Sequence, residues 1–133
     1  MTPLTNPARM TNRFLIVTTL ACLGLAGCDR STDPGGAGTL TASLISPNGP
    51  EGAAILDVTG EVETVSSTSD VRAFSSVTAT GTRVIVVRSS PGPLSVRLRV
   101  PDVSRPPQVS VVEVADGDDR IRASLNGYRV ELD

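Results

Sequence analysis

The chain has 133 residues, with 12 Arg, 14 Asp or Glu, no Lys and no His, for a net charge of −2. Without His or Lys the commonest general base and the Schiff-base amine are missing. Nor is there a Gly-x-Ser-x-Gly elbow, a phosphate-binding loop or a dinucleotide glycine pattern. The scattered, slightly acidic charge offers no basic patch for nucleic acid. The composition therefore predicts a protein that is not an enzyme and uses no cofactor.

In chain order, Arg9 and Arg13 precede an apolar run, Phe14 to Gly27 (FLIVTTLACLGLAG), which ends in the small-residue tetrapeptide Leu25-Ala26-Gly27-Cys28. The order is basic n-region, apolar h-region, small-residue cleavage site and polar spacer, as in a secretory signal. At ~1.5 Å per residue, a helix of this run would be roughly 21 Å long, short of the ~30 Å hydrocarbon core that a permanent span must cross. Met10 begins a compact n-region, MTNRFLIV, and is a second candidate start beside Met1. Leu25-Ala26-Gly27-Cys28 resembles the lipobox of bacterial lipoproteins. The resemblance implies cleavage between Gly27 and Cys28, acylation of the Cys28 thiol, and a place in the cell envelope on the periplasmic or exterior side of a bacterial membrane. An uncleaved anchor and cleavage without lipid are the alternatives. Asp29 resembles the inner-membrane retention signal of enteric bacteria. Cys22 lies in the h-region and would leave with it, so a lipidated chain would keep no thiol for a disulfide, metal site or nucleophile.

From Cys28 onward the chain carries ten Arg against fourteen acidic residues, a net of −4, and its aromatic residues are Phe74 and Tyr128. Its core is expected to be Val, Leu, Ile and Ala, with both aromatics within it. Residues 28–38 (CDRSTDPGGAG) have no apolar periodicity and read as a flexible tether. The folded domain is expected over 39–133.

Leu40, Ala42 and Leu44 alternate with Thr and Ser, predicting a half-buried strand. Ser46 to Gly52 (SPNGPEG) reads as a turn, after which Ala54, Leu56 and Val58 resume the alternation. Val62 to Val77 reads as an irregular connection and one strand near Val71–Ser75. Thr82 to Arg88 (TRVIVVR) is apolar at successive positions, as in a strand buried on both sides. Pro91-Gly92-Pro93 predicts a break, and Leu94, Val96, Leu98 and Val100 then form the cleanest period-two run. Beyond Pro101 and Pro106-Pro107, Val109 to Ala115 predicts a further strand. Asp116-Gly117 predicts a turn. Ile121, Ala123 and Leu125 predict another strand, joined by an Asn126-Gly127 type I′ hairpin turn to a last strand at Tyr128, Val130 and Leu132. Seven or eight short strands without a convincing helix predict an all-β, antiparallel sandwich of Ig-like type.

The segments GAAILDVTG, VETVSSTSDVRAFSS, GTRVIVV, GPLSVRLRVPD and VSVVEVADGDDRI, in that order over Gly52 to Leu132, resemble the later strands of cohesin-like domains, relatives of β-sandwich carbohydrate-binding modules. The resemblance implies a polysaccharide or dockerin-type protein partner and assigns no functional residue.

Three groups of side chains could carry chemistry. Asp57, Glu61 and Glu63 are carboxylates of the type that glycoside hydrolysis pairs, though strand ends hold such charges in any case. Asp116, Asp118 and Asp119 form an acidic cluster weakly suited to calcium, against the simpler reading of a solvated turn. Arg97 and Arg99, with Arg83 or Arg88, could form a cationic patch for an acidic partner or lipid headgroups; an ordinary edge-protecting sheet face is the alternative. With Phe74 and Tyr128 in the core, no aromatic platform for a sugar ring is expected. The function predicted is a non-catalytic, lipid-anchored interaction or structural module, with a carbohydrate-binding or cohesin-like module as the alternative.

Overall fold

The computed structural model describes residues 35–133, so the predicted leader, the Gly27–Cys28 cleavage site and most of the tether lie outside the described residues. Eight strands follow in chain order: β1 (Gly38–Ile45), β2 (Glu51–Thr59), β3 (Thr64–Ser67), β4 (Val71–Thr78), β5 (Gly81–Gly92), β6 (Ser95–Val100), β7 (Gln108–Asp116) and β8 (Arg129–Leu132). They form two antiparallel four-stranded sheets, ordered β3-β6-β1-β8 and β4-β5-β2-β7, with no helix among the described residues.

The pairing is nested: β4 with β5, β3 with β6, β2 with β7 and β1 with β8. A long hairpin wound upon itself gives this pattern, the principle of a jelly roll. The pairings β1·β6 and β2·β5 then join the inner strands within each sheet. The architecture is thus the small all-β sandwich expected from the strand pattern.

The period-two residues face one another across the interior. Ala42, Leu44, Val96, Leu98 and Val100 come from the first sheet and Ala54, Leu56, Val58, Val84, Val86 and Val114 from the second, all in one buried cluster. Each fully buried aliphatic side chain contributes about 1.5–3 kcal/mol, so β2, β5 and β6 dominate the packing. At the β4–β5 hairpin a Cβ on Gly81 would collide with the Val58 carbonyl oxygen; the turn requires glycine because backbone approaches backbone there.

Several expectations are corrected. Val62–Val77 contains a second strand, β3, whose Val65 packs on the core while Thr64 and Ser66 face outward. β2 begins at Glu51, inside the segment read as a turn. β5 is buried on one side only: Val84 and Val86 are inside, Ile85 and Val87 outside. Nor does it stop before Pro91. The strand reaches Gly92 through an irregularity opposite Gly52, where Arg88 donates to the carbonyls of Ser90 (3.0 Å) and Pro93 (2.9 Å). A bulge of this sort is where a proline fits within a sheet.

Ile121–Leu125 is not a strand. It holds one bridge, Ala115↔Ile121, and Ile121 is exposed. Asn126-Gly127 makes a turn closed by Tyr128 N–H on Leu125 C=O (3.1 Å), but only Gly127 has positive φ, and the turn joins no hairpin because β8 crosses to β1.

Candidate functional site: the outer face of the second sheet

The two sheets differ in what they turn outward. On the first, Thr39, Thr41, Arg97 and Arg99 lie beside Thr64 and Ser66, a polar surface over β3, β6 and the first half of β1. On the second, the outward positions pair across all four strands in rows. One row is Phe74–Ile85–Ile55–Glu113, and the next is Arg72–Val87–Ala53–Ala115. Phe74 is 57 % exposed, Ile85 40 % and Val87 38 %. A β7 bulge opposite Ile55 and Leu56 leaves Val112 unpaired and 40 % exposed beside this surface. Between Ala53, Ile55, Ile85, Glu113 and Ala115 the face dips into a shallow depression of about 170 Å³.

Phe74 is therefore not a core residue. Strand alternation sends Val71 and Ala73 inward and leaves Phe74 in register with Ile85 on the outside. A third row, Ser76–Arg83–Asp57–Ser110, bounds the apolar area. Arg83 donates from Nε to Asp57 Oδ1 (2.7 Å) and from Nη2 to Oδ2 (2.8 Å), a bidentate fork. These bonds, more than the charge itself, hold the Asp57 carboxyl below its ordinary value and push the Arg83 guanidinium up.

The other predicted residues do not converge. Arg97 and Arg99 share an outer face, but Arg83 stands on the opposite sheet and Arg88 caps carbonyls within the β5 irregularity, so no joint cationic patch forms. Arg99 pairs with Glu63 at 3.1 Å, which places Glu63 by the first sheet while Asp57 lies on the second. Glu61 borders an open hollow near Val62, Val77 and Pro101. Asp116 Oδ1 accepts the backbone N–H groups of Asp118 (2.9 Å) and Arg120 (3.0 Å), bonds that hold its carboxyl below the ordinary value. Asp118 turns to Arg120 at 3.6 Å, and Asp119 takes φ = 60° in the turn. Among the described residues no three His, Cys, Asp or Glu side chains come together as a metal site.

Sequence reasoning misses Glu51. It is 1 % exposed at the start of β2, and both of its carboxylate oxygens are engaged. Oε1 accepts from the Tyr128 hydroxyl (2.5 Å) and Ser46 Oγ (2.7 Å), while Oε2 accepts from Arg122 Nε (3.1 Å) and forms an ion pair with Arg122 Nη2 at 3.1 Å. Burial pushes this carboxyl up, but the bonds from Tyr128, Ser46 and Arg122, with the Arg122 charge, hold it below the usual range. Three donors and the Arg122 charge engage this buried carboxylate within the fold. Its role is to tie residues 122 and 128 to the end of the sandwich, where Arg122 N–H also donates to the Val114 carbonyl of β7 (2.8 Å). The partners lie 71 and 77 residues away in sequence, so no local signal marks the group.

Compared with protein-family models, curated proteins and solved structures, the chain matches none.

Proposed function

We propose that this chain is a non-catalytic interaction module of the bacterial cell envelope, held to a membrane by lipid on Cys28, and that it meets its partner through the outer face of β4-β5-β2-β7. The observation that carries the reading is the clustering of Phe74, Ile85 and Val87 in adjoining rows of one face with Val112 beside them, while the outward positions of β3, β6 and the first half of β1 are Thr, Ser and Arg. Scattered exposed apolar residues are ordinary on a soluble domain, whereas a contiguous apolar area rimmed by charge marks a contact surface. The lipid part of the reading rests on the Leu25-Ala26-Gly27-Cys28 motif.

The test uses the full chain in a bacterial envelope with a photo-crosslinking residue at Val87 or, on the opposite face, at Thr41. Adducts at Val87 and none at Thr41 are expected; the reverse pattern overturns the choice of face. Cys28→Ala is expected to abolish labelling by a fatty-acid analogue and to accumulate an unprocessed precursor. Normal maturation of Cys28→Ala overturns the anchor.

A second reading, a carbohydrate-binding or cohesin-like module, is favoured by one feature: Phe74 stands exposed on a sheet face, where a ring can stack on a sugar. Tyr128 is half-buried with its hydroxyl on Glu51. Glycan-array binding lost in Phe74→Ala supports this reading, and the absence of any glycan signal removes it.

A further inference from the structure

We infer that the partner of the apolar face is a second copy of this chain, related by a two-fold axis parallel to the strands, so that both copies stand side by side on one membrane. This rests on the function proposed above and adds the occupant. Self-complementarity of the three outward rows selects that occupant.

A two-fold axis in the plane of the contact, running along the strands between β5 and β2, lays β5 of one copy over β2 of the other. Ile85 then faces the second copy's Ile55, and Val87 faces its Ala53, large against large and large against small. In the bounding row Arg83 faces Asp57 and Asp57 faces Arg83, so the two exposed ion pairs become a four-charge cluster of alternating sign. At the edges β4 lies over β7, so that Phe74 covers the aliphatic stem of Glu113 and Arg72 lies diagonally across from the Glu113 carboxylate. Neither Arg72 nor Glu113 has an ion-pair partner among the described residues. An isologous contact needs a surface of this kind, in which each feature meets its complement under the symmetry.

The other in-plane two-fold, perpendicular to the strands, fails on the same rows. It lays the Arg83–Asp57 row over Val87 and Ala53, setting charges against apolar side chains without partners. It also points the first residues of β1 in opposite directions in the two copies. β1 starts at Gly38, beside Val100 and at the same end as the Thr78–Gly81 hairpin. The strand-parallel axis keeps both β1 starts at one end, the arrangement in which lipid on Cys28 holds both copies to one membrane with the shortest tethers.

The contact is small. Four strands at ~4.8 Å and about six residues at ~3.3 Å give a footprint of roughly 20 by 20 Å, less than the ~800 Å² per partner of a standard stable interface. The dimer is therefore weak in free solution and depends on the membrane, where tethering raises the effective concentration.

The test uses the full chain in membranes with a photo-crosslinking residue at Ile85, two tagged versions and a charge swap. The double variant Arg83→Asp/Asp57→Arg keeps its internal ion pair. It is expected to crosslink to itself as well as wild type does, but to crosslink with wild type about tenfold less, because like charges then face each other. Equal crosslinking in the mixed pair overturns the proposed axis. Adducts from Ile85 to a different protein, without a dimer, overturn self-association and leave the interaction module standing. No adduct from Ile85 at all removes both.

Discussion

The outer faces of the two sheets are built by the same alternation yet carry opposite chemistry. On β6 the residues between Val96, Leu98 and Val100 are Arg97 and Arg99; on β5 the residues flanking Val84 and Val86 are Arg83, Ile85 and Val87. Both strands bury one row equally well, so the inner rows explain the fold and leave the outer rows free to differ. The polar face needs only water. The apolar face leaves surface exposed that folding did not cover, and this difference localises the proposed function. Burial on one side of a strand says nothing about the other side.

Substitutions that separate fold from face test the contrast. The largest effect is expected inside: Leu98→Ala, at a fully buried position of β6, should cost about 2–5 kcal/mol. In a domain of this size that corresponds to a fall of ~4–8 °C in Tm per kcal/mol, measured by thermal unfolding. Next comes the buried carboxylate at the end of the sandwich. Glu51→Ala leaves Arg122 and Tyr128 without their acceptor and should cost about 2–4 kcal/mol.

Glu51 also gives a pH dependence with a definite sign. Its folded-state value lies below the ordinary 4.5, so its contribution to stability is complete above about pH 4.5 and is lost as the pH falls through the folded value. Melting temperature plotted against pH should therefore fall less steeply in Glu51→Gln than in wild type on the acid side. Parallel curves would mean that the carboxylate stabilises the fold no better than an amide.

On the outer faces the expected order reverses. Ile85→Ser should change stability by less than about 1 kcal/mol but remove most crosslinking through the second sheet. The smallest effect belongs to Thr41→Asn on the polar face, expected to leave both melting and crosslinking unchanged. If Thr41→Asn reduces adduct formation as much as Ile85→Ser does, the contrast between the faces has no functional meaning.

Legibility in the sequence follows the range of the interactions. Leu94, Val96, Leu98 and Val100 announce β6 because burial on one side imprints a period of two within a few residues. β3 is obscured because a four-residue edge strand with a single core residue, Val65, carries too little pattern. Ile121, Ala123 and Leu125 show the right period for a strand, but pairing with β7 ends after the Ala115–Ile121 bridge and the Arg122 N–H bond to Val114 C=O, and the side chains of Arg122 and Tyr128 are held by Glu51 from across the fold. TRVIVVR reads as buried on both sides because an apolar outer row and an apolar inner row look alike along the chain.

Neighbouring positions alone specify an all-β fold, the inward residues of the main strands, and the motif ending at Cys28, because each is written within a short stretch of chain. Pairing across the fold selects which strands share a sheet, and with that the row Phe74–Ile85–Ile55–Glu113, whose members come from four separate strands. It also leaves Glu51 buried and hydrogen-bonded while Phe74 is exposed. One physical reason covers both results. A surface, like a charge network, is made by residues that strand pairing brings together, and local periodicity records only whether a strand has a buried side.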